Sequence, residues 1–188
     1  MSVKIVIFDL MQEDQEESQR ILLQRIKKLK SHQFSNCAYA VVSDMESGEL
    51  CDHLSDGLDL EHYIFVGALT AKLGAKHHRE PTNGSRKISK KLIIYGEQQV
   101  TINIVTYFMH GDFDRRELRE EITSFDHLKL SGSSYLVDSE LSSEDLYDLL
   151  YPYILDEKDN LFVAEVVDAE WSSSDPEDEE WLELSFDP

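Results

Sequence analysis

The chain has few of the residues that shape specialised architectures. Among 188 residues there are 4 prolines, 8 glycines and 2 cysteines. Two cysteines, Cys37 and Cys51, outside any Cys-x-x-Cys pair, exclude a disulfide scaffold and a thiolate zinc knuckle; they read as reduced, packed thiols. No apolar run approaches the roughly 18–20 residues that cross a bilayer, so no membrane partner is expected. The first residues lack a basic region followed by an apolar stretch and a cleavage site, which points to the cytoplasm. Gly-x-Ser-x-Gly is absent, and no glycine-rich phosphate loop follows a strand. Basic residues are scarce too, 18 Lys and Arg against 38 Asp and Glu, for a net charge of −20.

The charge is unevenly spread. Residues 1–71 carry 6 basic and 12 acidic side chains, residues 72–91 carry 7 and 1, residues 92–158 carry 5 and 14, and residues 159–188 carry 0 and 11. Nucleic-acid binding rests on Lys and Arg neutralising phosphates, so most of the chain would repel a duplex. Only Lys76, Arg79, Arg86, Lys87, Lys90 and Lys91 form a basic patch. Three readings stay open for it: phosphate contact, a solvated linker, or a strip neutralised by the acidic end of the same chain. His77-His78 beside it lacks the further ligands at set spacing that a zinc site needs.

What is abundant is internal repetition. Tyr39-Ala-Val-Val-Ser-Asp44-Met-Glu-Ser-Gly-Glu-Leu50-Cys-Asp52-His-Leu54, shifted by 96 positions, falls on Tyr135-Leu-Val-Asp-Ser-Glu140-Leu-Ser-Ser-Glu-Asp-Leu146-Tyr-Asp148-Leu-Leu150. Tyr, Ser and Leu recur in register, and acid meets acid at 44/140, 49/145 and 52/148. With one more residue of offset, Ile64-Phe65-Val66 meets Leu161-Phe162-Val163.

Each copy opens on a β-rich run, Val3–Phe8 or Thr101–Phe108, followed by a polar turn and a helix with apolar residues at helical spacing: Ile21, Leu22, Ile26 and Leu29, or Leu118, Ile122 and Phe125. A strand follows near Ala38–Val42 or Ser134–Val137. Ser47 and Ser143 are placed to cap a second helix, with acids behind them in its first turn. A last strand closes each copy, His62–Leu69 or Asn160–Val167.

The order strand, helix, strand pair, helix, strand is the split β-α-β pattern of ferredoxin-like domains. The expected fold class is therefore α+β: a ferredoxin-like unit over 1–71, a basic linker or loop over 72–91, a second unit over 92–171 and an acidic tail over 172–188. The tail carries Trp181, Leu182, Leu184 and Phe186, too apolar for a purely solubilising end, which suits them to anchor a protein partner.

The segments Ser133-Ser-Tyr-Leu-Val, Leu141-Ser-Ser-Glu-Asp-Leu146 and Asp159-Asn-Leu-Phe-Val163 resemble the SinR-like proteins, relatives of the small ferredoxin-like CRISPR adaptation endonucleases. The resemblance covers residues 100–171 well and 3–70 weakly. It implies a dimer fused into one chain, a pseudo-dimer. It also implies an Asp at the end of the first strand, where two symmetric carboxylates hold magnesium or manganese. Asp9 matches that position, as catalytic residue and metal ligand. The second copy reads Tyr107-Phe108-Met109-His110 there, without the acid, and Asp112 and Asp114 beyond it do not fit the motif's spacing.

Three functions follow as expectations. The first is a non-catalytic binding protein with a strongly acidic surface and a protein partner, in one variant a DNA mimic tied to a defence system, with no cofactor. The second is a metal-dependent nuclease using Asp9. The third is a nucleic-acid binder acting through residues 76–91. Either a monomer or a homodimer is compatible with the sequence.

Overall fold

Strand β1 (Ser2–Asp9) and strand β5 (Thr101–Phe108) are apolar at five of eight positions each, on both faces, as strands covered on both sides are. In the computed structural model, which describes residues 2–9, 16–58, 63–69, 101–110, 115–154, 156, 158–172 and 176–186, both strands are covered on both sides. Ile5 and Ile7 of β1 and Ile102 and Ile104 of β5 share one buried cluster. Val6 and Phe8 point the other way into a second cluster, and Val105 and Tyr107 into a third. The period-2 alternation of a strand sends successive side chains to opposite faces, so each strand feeds two cores.

The remaining elements are α1 (Glu16–Lys28), β2 (Lys30–Ser35), β3 (Ala38–Ser43), α2 (Ser47–Ser55), β4 (Tyr63–Leu69), α3 (Arg116–Ile122), β6 (Asp126–Ser131), β7 (Ser134–Ser139), α4 (Ser143–Leu150), β8 (Asn160–Ser172) and α5 (Pro176–Phe186). The fold is mixed α+β, with eight described strands in one antiparallel sheet ordered β2-β3-β1-β4-β8-β5-β7-β6. The first half, β1 to β4, has strand order β2-β3-β1-β4, and the second half, β5 to β8, has order β6-β7-β5-β8. Element order and strand order are therefore the same in both.

The long strand β8 joins the halves. Its first part pairs with β5, Asn160 opposite Phe108 through Glu165 opposite Asn103. Its second part pairs with β4, Val166 opposite Leu69 through Ser172 opposite Ile64. The two half-sheets lie face to face, with Ile5, Ile7 and Phe65 of one half packed with Ile104, Leu130, Leu136 and Phe162 of the other. Phe34 of β2 stacks on Phe162 of β8 with ring centroids 4.2 Å apart. Helices α1 and α2 cover the outer face of the first half, and α3 and α4 that of the second.

Small features repeat along with the large ones. The hairpin β2–β3 slips register between Gln33 and Ser35, and β6–β7 slips between Lys129 and Ser131, the positions 96 further on. Phe8 and Tyr39 stack at 6.0 Å and 15°, and Tyr107 and Tyr135 at 6.5 Å and 14°. The hydroxyl of Ser43 accepts from the Met45 N–H at 3.1 Å, as that of Ser139 does from the Leu141 N–H at 2.9 Å. The repeated serines are thus turn fasteners, satisfying a backbone donor where the strand ends.

Several boundaries differ from the sequence reading: Leu29 and Phe125 lie just beyond α1 and α3. The helix caps are Glu46 and Ser142, one residue before Ser47 and Ser143. Ser142 accepts from the Asp145 N–H at 3.1 Å, and Glu49 accepts from the Glu46 N–H at 3.1 Å. A carboxylate at the third helical position bonds back to the cap, which places the cap three residues before 49 and 145. Strand β8 continues to Ser172, because β4 supplies it with a second partner. The stretch beyond it contains the helix α5.

Candidate functional site at the joint between the halves

Strands β1 and β5 end at the same place, side by side with the two hairpin turns. Asp9 closes β1, paired with Tyr63 of β4. The matching position in the second half pairs with Asn160 of β8, and it holds Phe108. Counting the register therefore answers Asp9 with Phe108, a 37% exposed aromatic ring.

The turns are tied to the strand ends by equivalent bonds. The Phe8 N–H donates to the Cys37 carbonyl at 3.1 Å, and the Tyr107 N–H to the Ser133 carbonyl at 3.0 Å. Across the joint the Cys37 thiol donates to the Ser131 hydroxyl at 3.2 Å, and Ser35 lies 3.5 Å from the same sulfur. On the second half, Arg115 donates to the Met109 carbonyl at 3.1 Å. The buried Asp159 accepts from the His110 N–H at 2.7 Å and from the Asp156 N–H at 3.1 Å, pinning His110 just past β5 to the start of β8.

These groups border a cleft of about 320 Å³, lined by Asp9, Cys37, Phe108, Met109, Arg115 and Ser131 among others. Burial pushes the Asp9 carboxyl above its usual range, and the nearby Lys129 ammonium partly opposes this. Desolvation disfavours the charged form and an adjacent cation restores it, so here the first effect wins.

A hard divalent cation wants several oxygen ligands, carboxylates first. The joint presents the Asp9 carboxylate with neutral hydroxyls and amides, and Phe108 stands where the second acid of a paired site belongs. Among the described residues no three His, Cys, Asp or Glu side chains converge as metal ligands. The donor set fits magnesium or manganese poorly. Asp112 and Asp114 lie outside the described residues, as do His77, His78 and the patch Lys76, Arg79, Arg86, Lys87, Lys90 and Lys91.

The paired acids of the repeat sit elsewhere, on and before the second helix of each half. Asp44, Glu49 and Asp52 are exposed around α2, and Glu140, Asp145 and Asp148 around α4. Inward, Leu50 and Leu54 match Leu146 and Leu150, all fully buried. The helix divides accordingly into a leucine face toward the sheet and an acidic face toward solvent.

The four apolar residues of the C-terminal segment are not equivalent. Leu182 is fully buried in the cluster between the half-sheets, and Trp181 and Phe186 pack against that cluster. Leu184 is 69% exposed. Among the four, Leu184 alone projects from the surface as an anchor would.

Sequence reasoning passed over the turn residues Ser35, Ser131 and Ser133, and Arg115, and read Cys37 as a packed thiol alone. The signal for the turns was available, since Ser35 and Ser131 extend the 96-residue offset four positions upstream of Tyr39 and Tyr135. Among the described residues no helix is long and apolar enough to cross a membrane. The chain matches no family model, no curated protein and no solved structure.

Proposed function

We propose that the chain is a fused pair of ferredoxin-like units, of the SinR-like kind, that works in the cytoplasm as a non-catalytic binding protein and engages a basic partner through its acidic faces. The observation that carries this reading is which acids the two halves share. Carboxylates recur at 44/140, 49/145 and 52/148, exposed on both halves, while Asp9 is answered by Phe108. Duplicated exposed acids suit a protein with two like faces toward one partner. A lone carboxylate at the joint does not suit a two-acid metal site.

Electrostatics favour the same class of partner. A chain of net charge −20 draws cationic surfaces at long range and repels nucleic acid. Spaced carboxylates on two faces are also what a DNA mimic presents to a basic groove.

Two measurements test the reading. Duplex DNA and RNA are incubated with the protein in magnesium or manganese, with Asp9→Ala as control; no Asp9-dependent cleavage is expected. Cleavage lost in Asp9→Ala would replace the reading with the nuclease one. Partner recovery from cell extract is then compared with the variant Glu49→Gln, Asp52→Asn, Asp145→Asn, Asp148→Asn. Recovery that falls several-fold in the variant is expected, and unchanged recovery would remove the acidic faces from the account.

A further inference from the structure

Helix α5 closes one end of the core between the half-sheets, and its attachment is narrow. Leu182 inserts fully into the cluster shared by the two halves. Trp181 lies beside it and donates its indole N–H to Asp126 of β6 at 3.1 Å. One turn on, Phe186 meets Trp171 of β8 with ring centroids 6.4 Å apart. These apolar residues, at i, i+1 and i+5, form one edge of a helix whose other positions are largely acidic.

Two features work against tight closure. The helix holds Glu177, Asp178, Glu179, Glu180 and Glu183 and no basic residue, on a chain of net charge −20. Beneath it, the Tyr63 hydroxyl is buried without a hydrogen-bond partner among the described residues. Asp178 is close enough to help burial push that phenol upward. A helix seated over a buried donor left unmet is less firmly held than the strands below it.

We infer that α5 is a displaceable strap: the resident occupant of a helix-binding groove formed between the half-sheets, held by Trp181, Leu182 and Phe186 and able to leave while the sheet stays folded. The groove accepts an amphipathic helix with apolar residues at i, i+1 and i+5. This goes beyond the acidic-face reading and does not depend on it.

The experiment uses the full chain and a fluorescently labelled peptide of residues 173–188, followed by anisotropy. The substitution Leu182→Ala is placed in the protein in one arm and in the peptide in the other. In the protein it weakens the resident helix, so the unmodified peptide should bind at least roughly tenfold more tightly than to the unmodified chain. In the peptide it should cost at least roughly tenfold. A merely structural helix gives no such opposite pair. Unmodified peptide binding no more tightly to the Leu182→Ala protein would overturn the inference.

Hydrogen exchange on the unmodified chain is the second measurement, independent of whether the variant folds. Amides of 180–186 should open at least about a hundredfold more readily than those of Phe162–Val166 in β8. Equal protection would overturn the inference as well.

Discussion

Gly67 lies in β4, where the first half meets β8, and replacing it with Ala probes the packing between the halves. A Cβ there would sit 2.9 Å from Cε1 of Phe65, 2.9 Å from Cγ1 of Val166 and 3.2 Å from Cζ of Phe65. Carbon atoms settle at about 3.5–4.0 Å, so each neighbour must retreat by roughly 0.6 Å or more. Phe65 is fully buried and Val166 nearly so, and both belong to the core between the half-sheets. Interiors are packed like organic crystals and give little room. Overpacking of this kind costs about 1–3 kcal/mol. Relief of the glycine penalty in a strand returns about 0.5–1 kcal/mol. The net loss is about 0–2.5 kcal/mol, midway just over 1 kcal/mol, or up to roughly 10 °C in melting temperature for a chain this long. The second half already carries Ala164 at the matching position, fully buried, so the crowding belongs to the first half alone. Thermal unfolding by calorimetry of Gly67→Ala, alone and with Phe65→Leu, decides the matter. The smaller side chain should absorb part of the clash, giving a favourable coupling between the two changes. A Gly67→Ala protein that melts at or above the unmodified one, or loses as much with Leu at position 65, would refute the packing described.

Two further outcomes follow. Asp138 faces Asp126 across the β6–β7 ladder, and burial first, then Asp126, pushes its carboxyl above 3.8. The folded state thus holds this proton more tightly than the unfolded chain. The resulting penalty is complete above the folded value, shrinks as pH falls through it and is gone below about 3.8. Asp138→Asn should therefore stabilise the protein at pH 7 by about 0.2–1 kcal/mol, the range for cross-strand pairs, and add little near pH 3; a gain that is equal at both pH values would contradict this. The Cys51 thiol is pushed up to about 11 by burial, with Glu170 and Asp52 adding to it, whereas Cys37 is half-exposed at the joint. Alkylation at pH 8 with mass-spectrometric mapping should mark Cys37 and spare Cys51 until the chain is unfolded, because the thiolate is the reacting form; comparable labelling of both in the folded protein would show the burial of Cys51 to be wrong.

Much of the fold was legible because the repeat is carried by residues with local jobs. Tyr39 and Tyr135 stack on the strand beside them, Ser43 and Ser139 fasten turns, and Leu50, Leu54, Leu146 and Leu150 face the sheet. Each job needs one residue type at one spacing, so the pattern survives as text. The cap positions were off by one because Ser47 and Ser143 are both serines beside an acid, and only the hydrogen bond to residue 145 or 49 marks the cap. The site was less legible. The run Tyr107-Phe108-Met109-His110 left open which residue stands opposite Asp9, and the ladders to β4 and β8 answer it with Phe108. Register is a property of paired strands, and a single strand does not state it.

The C-terminal segment separates the two kinds of information most clearly. The sequence by itself determined that residues 181–186 carry apolar side chains among acids, and that such a segment must cover something apolar. It also determined the element order of each half and the acids that both halves share. Only the tertiary structure decided that the covered surface is the chain's own core between two facing half-sheets, with Leu182 inside it and Leu184 outside. Amphipathicity records that a face seeks burial. Which surface buries it depends on contacts between residues far apart in the chain, here β6, β8 and α5 brought together by the fold.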